Sequence, residues 1–371
     1  MERSHVFFTD LRAGPGKSLL DKLEELIKSA GIGSIDLNRK LTAVKVHFGE
    51  PGNLGYIRPN WAGRLVKYLK EEGAIPFLTD TSTLYHGRRS NGPDHIEAAY
   101  ENGFHPQTTG CHIIIADGLT GTDFHEIETG FKLCPVAKIG SAIVNSEVLI
   151  SMSHFKGHDM MGFGGAIKNL GMGCASVGGK LEMHSTSTPL IMRDNCTGCR
   201  ICEINCAHGA INMGSDKIAR INEVKCVGCG QCIAVCQFDA ARVVWDAASE
   251  TTSKKVAEYA YAATNGKPCF HINFMMDISP DCDCWGYNDK PIVADIGIAA
   301  SFDPVALDKA CADMVLKAPL LPGTVITDHH KVGSHGADHF SQLHPHTDWR
   351  SALKHAEECG LGRLEYELKE V

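Results

Sequence analysis

Residues 195–237 read NCTGCRICEINCAHGAINMGSDKIARINEVKCVGCGQCIAVCQ, and eight of them are cysteines. They fall as Cys196-x2-Cys199-x2-Cys202-x3-Cys206, then as Cys226-x2-Cys229-x2-Cys232-x3-Cys236, each residue of the second run 30 positions after its counterpart. An iron–sulfur cube needs four thiolates arriving from different directions. C-x2-C-x2-C wraps a short loop around three corners, and the fourth cysteine, too far along to close its own site, crosses to the other cluster. One 4Fe–4S cluster is therefore expected on Cys196, Cys199, Cys202 and Cys236, and a second on Cys226, Cys229, Cys232 and Cys206. Structural zinc uses two CxxC-type pairs across a longer loop, which is a different spacing. A chain with two such clusters is built to move electrons one at a time.

Over residues 188–246 the chain resembles a bacterial two-cluster ferredoxin, a small α+β fold. It departs from that pattern where Ala207 follows Cys206 and Gln237 follows Cys236, positions that proline usually takes. The departure changes a local turn and removes no ligand.

The remaining length, out of 371 residues, is ample for one large domain. Thirty-six Lys and Arg against 44 Asp and Glu leave a net charge of −8, which argues against nucleic acid or an anionic membrane as partner. No apolar run approaches the roughly 18 residues that would predict membrane insertion. The opening MERSHVFFTD lacks the charged-then-apolar build of a signal peptide, so a reducing, oxygen-poor cytoplasm is the expected compartment.

Outside the cysteine repeat, short apolar runs alternate with helical periodicity. Strands are predicted at His5–Thr9, Leu41–Phe48, Ile75–Thr79, His112–Ala116, Val148–Met152, Cys269–Met275 and Ile292–Ala299. Helices are predicted at Ser18–Ala30, Pro59–Glu72, Pro93–Asn102, Val136–Asn145, Ser253–Thr264, from Asp303 to Lys317, and at Arg350–Glu358. This alternation predicts an α/β fold, a mostly parallel sheet covered by helices. Because it resumes after residue 250, the expected organisation is an α/β domain in two parts, 1–187 and 247–371, with 188–246 inserted. Gly14-Pro-Gly16-Lys17-Ser18 imitates the end of a phosphate-binding loop, but Leu11 stands where the leading glycine belongs, so it reads as a helix start.

Several predicted strands end in ionisable residues, and an open α/β sheet makes its site there. Lys45 and His47 end one strand, Asp80 another, and His154, Lys156 and His158 a third. Gly164 and Gly165 follow, then Lys168 and Asn169 on the first turns of a predicted helix whose positive end would face an anion. The cleft is expected to take a small anionic molecule on Asp80, Lys156, Gly164, Gly165, Lys168 and Asn169. Lys45, His47, His154 and His158 are the candidate catalytic groups. Cys282 and Cys284, flanked by Asp281 and Asp283, are either two reduced thiols in a packed loop or a metal-binding or redox-active pair. The tail histidines His329, His330, His335, His339, His344 and His346 have irregular spacing and read as a surface loop.

Lys45-Val-His47-Phe-Gly-Glu50, Pro76-Phe-Leu-Thr-Asp80, Ser153-His-Phe-Lys156-Gly-His158, Gly164-Gly-Ala-Ile-Lys168-Asn-Leu-Gly171 and Asp303-Pro-Val-Ala-Leu-Asp308 together resemble the prokaryotic domain-of-unknown-function-362 proteins. The branch in question carries an inserted two-cluster ferredoxin. The resemblance implies an α/β domain and iron–sulfur binding, and supplies no substrate. The histidine–lysine–glycine stretch is also loosely similar to that of lactate-racemase-type enzymes, which hold a nickel pincer cofactor. Three functions follow as expectations. The first is an oxidoreductase, fed by an external ferredoxin-type or reductase partner, that passes electrons to the bound anion. The second is an electron-relay or redox-sensing module. The third is a metal-cofactor enzyme using His154, His158, Cys282 and Cys284.

Overall fold

Valine, isoleucine and phenylalanine crowd the short runs between helices, and such side chains suit a sheet covered on both faces. In the computed structural model, which describes residues 3–185, 188–226, 228, 230–244, 248–328 and 338–371, these runs form one eight-stranded sheet. Its order is Tyr366–Glu370, Ser4–Asp10, Gly297–Ser301, Cys269–Met275, Val148–His154, Leu41–Val46, Ile75–Asp80, Ile113–Ile115. Gly297–Ser301 runs antiparallel to both of its neighbours, and the other pairings are parallel. Four adjacent strands, from Cys269–Met275 to Ile75–Asp80, therefore present their C-terminal ends along one edge.

Alternate residues of each strand feed two cores. Ala43, Phe77 and Leu149 pack under the helices Ala166–Cys174, Ser249–Thr264, Pro304–Lys317 and Trp349–Glu358. Val44, Val46, Leu78, Ile150 and Ile272 pack under Leu19–Ser29 and Pro59–Glu71 on the opposite face. The result is an α/β/α sandwich. Ser18 caps Leu19–Ser29 through a capping box with Asp21, so the glycine–proline stretch before it starts a helix, as expected.

Two expectations fail for physical reasons. Val136–Asn145 is not one helix: Val136–Gly140 pairs with Phe124–Glu128 as a hairpin, and only Ser141–Val144 is helical. Ala137 and Ile139 are buried while Val136 and Lys138 are half-buried, the period of two that marks a strand. Ile292–Ala299 is not a strand from its start. The strand begins at Gly297, and the preceding Asp295 accepts a hydrogen bond from the Asp277 backbone N–H.

The strands of residues 188–244 pair only with each other among the described residues, Leu190–Ile191 with Ala241–Arg242 and Ile211–Met213 with Ala219–Ile221. The 30-residue repeat is visible in the backbone. Left-handed residues recur at Gly198 and Gly228, at Arg200 and Gly230, and at Gly209 and Asp239.

Helices Ala166–Cys174 and Ser249–Thr264 cross at Gly171, where a Cβ would lie 2.1 Å from the Val256 carbonyl oxygen. Gly171→Ala is expected to lower stability by about 2–3 kcal/mol. Gly33→Ala, whose Cβ would meet nothing nearer than 3.6 Å, should shift it by less than about 0.5 kcal/mol in the same urea titration.

Candidate functional site

Lys45 ends the strand Leu41–Val46 wholly buried, an arrangement that demands a partner for its charge. Its ammonium lies 2.9 Å from Asp80 Oδ1, on the neighbouring strand, and donates to Asn169 Oδ1 at 2.7 Å. Asn169 in turn donates from Nδ2 to Ser153 Oγ and the Met152 carbonyl, each at 3.0 Å. Burial pushes the Asp80 carboxyl up, but the Lys45 ammonium, with the Arg89 guanidinium behind it, holds the group below the usual carboxylate range. Asp80 Oδ2 has no hydrogen-bond partner among the described residues. His95 Nε2 stands 3.7 Å from it, and burial pulls that histidine down to about 3.

Arg89, 2 % exposed, ties the next layer together. Its Nε donates to Glu50 Oε2 at 2.7 Å, and its two terminal nitrogens lie 2.6 Å from the Tyr85 hydroxyl and 2.9 Å from His47 Nε2. Burial and the adjacent guanidinium hold His47 well below its ordinary pKa, so the ring is neutral.

On the third strand end, His154 Nδ1 meets Asp283 Oδ1 at 2.9 Å while Nε2 faces the Met276 carbonyl at 2.8 Å. Both ring nitrogens are thus engaged within the protein. Lys156 Nζ is 3.6 Å from the second Asp283 oxygen. Burial raises the Asp283 carboxyl, yet His154 and Lys156 prevail and keep it ionised. The loop carrying Asp283 reaches this position because Gly157 has no Cβ, which would lie 2.0 Å from the Pro280 oxygen.

With Asp283 turned toward His154, its neighbours Cys282 and Cys284 turn the other way. Their sulfurs are 2.8 Å apart, and Lys168 Nζ sits 3.1 Å from Cys282 Sγ and 3.7 Å from Cys284 Sγ. His47 Nε2 is also 3.7 Å from Cys284 Sγ, and His158 favours the Cys282 thiolate. The Cys284 hydrogen bond, followed by Lys168 and Lys156, brings Cys282 well below the ordinary thiol pKa despite its burial. Burial opposes the Lys168 charge, but the two sulfurs raise its pKa overall. The Lys168 ammonium already sits against both sulfurs, where a cation would be held, and both His154 nitrogens are engaged. The residues on hand therefore do not fit a metal held by His154, His158, Cys282 and Cys284.

The glycine turn also departs from expectation. Ala166 and Ile167 N–H, at the start of helix Ala166–Cys174, donate to the Asp308 carboxylate at 2.7 and 2.9 Å. The helix end anticipated as an anion site is filled by the protein's own Asp308. Gly165 is needed for that approach, since a Cβ there would lie 2.3 Å from Asp308 Oδ1. Gly164 faces the lysines, its Cβ position 3.4 Å from Lys156 Nζ.

Between these groups lies a cavity of about 110 Å3, lined by Lys45, His47, Asp80, Arg89, His154, Lys156, His158, Lys168, Asn169, Lys180, Asp283 and Cys284. Sequence reading missed Arg89 and Lys180. Arg89 is indistinguishable in sequence from exposed Arg88, which pairs with Glu101. Lys180 donates to the Ser82 and Ala175 carbonyls, and burial draws it down to about 8.

In the cysteine repeat, one small hollow is lined by Cys196, Cys199, Cys202 and Cys236, and another by Cys206, Cys226 and Cys232. Cys229 lies outside the described residues. Backbone N–H groups of Ala210 and Ala240 donate to Cys206 and Cys236 sulfurs, both at 3.3 Å. A groove of about 850 Å3 runs between this region and the α/β body, lined by Cys236, Val243, Thr83, Leu84, Tyr85 and His86 among others. Thr83, Leu84 and Tyr85 also line the buried cavity. Elsewhere, Glu258, His355 and Cys359 place ligand atoms within 4.8 Å of one another, although Glu258 already accepts from the Cys134 N–H and pairs with His355. Of the tail histidines, His339, His344 and His346 bond backbone carbonyls, and His329, His330 and His335 lie outside the described residues.

The family described as "Domain of unknown function (DUF362)" matches residues 42–313. The chain belongs to the DUF362 family. No curated protein matches it. Among solved structures, the lactate racemase apoprotein from Thermoanaerobacterium thermosaccharolyticum is similar at 12% identity and a TM-score of 0.43, covering 85% of this chain and 58% of that one. A crystal structure of a Thermotoga maritima protein is similar at 12% identity and a TM-score of 0.37, covering 79% and 57%. The chain thus spans less than three fifths of the length of these two proteins. No helix among the described residues is long and apolar enough to cross a membrane.

Removing one partner of a buried ion pair strands the other. Lys45→Met is expected to cost roughly 3–5 kcal/mol in chemical denaturation, and Lys45→Met with Asp80→Asn to recover most of that loss.

Proposed function

We propose that this DUF362 protein is an iron–sulfur oxidoreductase whose α/β cavity takes a small anion. In this reading residues 188–246 are an inserted two-cluster ferredoxin-like domain between the α/β segments 1–187 and 247–371. The observation that carries it is the shared wall: Thr83, Leu84 and Tyr85 line both the cavity and the groove that Cys236 also lines. A relay or sensing module has no need of a buried cationic cavity behind its cysteines.

The donor sets suit 4Fe–4S clusters, because each hollow gathers cysteines of one run with the fourth cysteine of the other. Clusters held there supply single electrons. The chain's own groups do the rest. Lys156, Lys168 and Lys180 give the cavity its cationic lining, while Lys45 and Asn169 hold Asp80 and the strand ends rigid. At about 110 Å3 the cavity is far below the roughly 300–1,000 Å3 of cofactor-sized sites, which favours an anion of few heavy atoms. His158, its Nδ1 accepting from the Met160 N–H, keeps Nε2–H as a donor and serves as the proton source in this reading. His154 orients Asp283. The partner is an external ferredoxin-type or reductase protein, and the protein operates in a reducing cytoplasm.

Protein purified without oxygen is expected to carry about eight iron and eight sulfide per chain. Crossed ligation makes paired substitutions unequal. Cys199→Ser with Cys236→Ser should spare about half the iron, and Cys226→Ser with Cys236→Ser should remove nearly all; the reverse pattern would sink the crossed arrangement. Anion binding should weaken with pH. Lys180 is charged below about 8 and loses its proton above it, so sulfate affinity by calorimetry should fall roughly fivefold from pH 7 to pH 9. Constant affinity over that range would exclude Lys180 from the site.

A further inference from the structure

We infer that Cys282 and Cys284 form a reversible dithiol–disulfide couple that stores an electron pair at the cavity wall. The geometry of the reduced pair is nearly that of the bond. Sulfurs 2.8 Å apart need to close by only about 0.75 Å to reach a disulfide of roughly 2.05 Å. The intervening Asp283 is clamped by His154 and Lys156, so both cysteines are held on one side of a fixed loop. The Lys168 ammonium, in contact with both sulfurs, stabilises the thiolate that reduction produces. His47 lies beside Cys284, its Nε2 3.7 Å from the sulfur. A merely structural pair of thiols in a packed loop calls for none of these polar neighbours.

The step balances with two electrons and one proton. On reduction the Sγ–Sγ bond breaks, Cys282 leaves as thiolate on Lys168, and Cys284 takes a proton that reaches it through the cavity. On oxidation the bond re-forms, Cys284 gives up that proton, and the electron pair passes to a two-electron acceptor, the small anion of the proposed reaction. The reductant is a pair of reduced 4Fe–4S centres, one electron from each. That part rests on the function proposed above, whereas the couple itself does not. The pair thereby converts single-electron delivery into two-electron chemistry. Tyr85 links the two regions, since its hydroxyl donates to the Cys284 carbonyl at 2.9 Å and its ring lines the groove leading to Cys236.

The test uses the full chain purified without oxygen, treated with diamide or with dithiothreitol, quenched in acid and alkylated. The couple predicts that the peptide spanning residues 281–290 is two hydrogens lighter and unalkylated after diamide, and doubly alkylated after dithiothreitol. Double alkylation after both treatments overturns it, as does stoichiometric zinc released when the pair is alkylated. Lys168→Met is expected to shift the dithiol–disulfide equilibrium toward the disulfide about tenfold, or about 30 mV. Should that variant misfold, Cys282→Ser still reports, because Cys284 must then be alkylated in both states. In Cys199→Ser with Cys226→Ser, diamide and dithiothreitol should act as in the parent while reduction by methyl viologen radical is lost. Retention of that reduction supports the couple and overturns the cluster route to it.

Discussion

The ion pair between Lys45 and Asp80 sets the terms for everything at the sheet edge. Two charges face each other at 2.9 Å across neighbouring parallel strands with almost no access to water. Such a pair is tolerable only when its remaining donors and acceptors are met, since desolvation rivals the attraction. Asn169 meets the lysine, which ties helix Ala166–Cys174 to the strand ends and brings Lys168 over the Cys282–Cys284 loop. Arg89, Glu50 and His47 form the adjoining layer, and Asp283, His154 and Lys156 the opposite one. Each charge is positioned by the need of another.

The same economy explains the small size of the cavity. Asp308 fills the helix start, His154 is engaged at both nitrogens, and Asn169 bridges three strand-end groups. What lines the space is a set of lysines with Arg89, several histidines, the paired carboxylates Asp80 and Asp283, and Cys284. Charge compensation inside the protein thus leaves a space of only about 110 Å3.

The cysteine repeat meets this edge through apolar packing, with Ile233 and Ala234 against it. Val243 packs with Leu84, Val177 and Leu181, so the apolar contact beside Cys236 is continuous with the wall of the cavity. A ferredoxin-like unit in this position is proposed to feed the cavity, and a thiol pair behind that wall is a fitting place to accumulate two electrons.

Much of this was legible in the linear chain. Strand Cys269–Met275 and the starts and stops of most helices follow from apolar period, caps and glycines, because those signals are local. The nearness of Cys236 to Cys196, Cys199 and Cys202 around one hollow is what the spacing of the two runs anticipates. The hairpin at Val136–Gly140 was not legible, because its alternation is short and its partner strand Phe124–Glu128 is largely exposed. Nor was the last strand, Tyr366–Glu370, an edge segment whose charged side chains hide the pattern. For the site, the chain by itself determined which ionisable residues stand at strand ends: Lys45, His47, Asp80, His154, Lys156 and His158. Only the tertiary structure decided which charge answers which. It brought Arg89 from a loop, Lys180 from a short helix and Asp308 from a helix 142 residues beyond Ala166, and it set Lys168 against two sulfurs 114 and 116 residues away. Pairing of buried charges is a property of distance through space, and sequence separation carries no record of it.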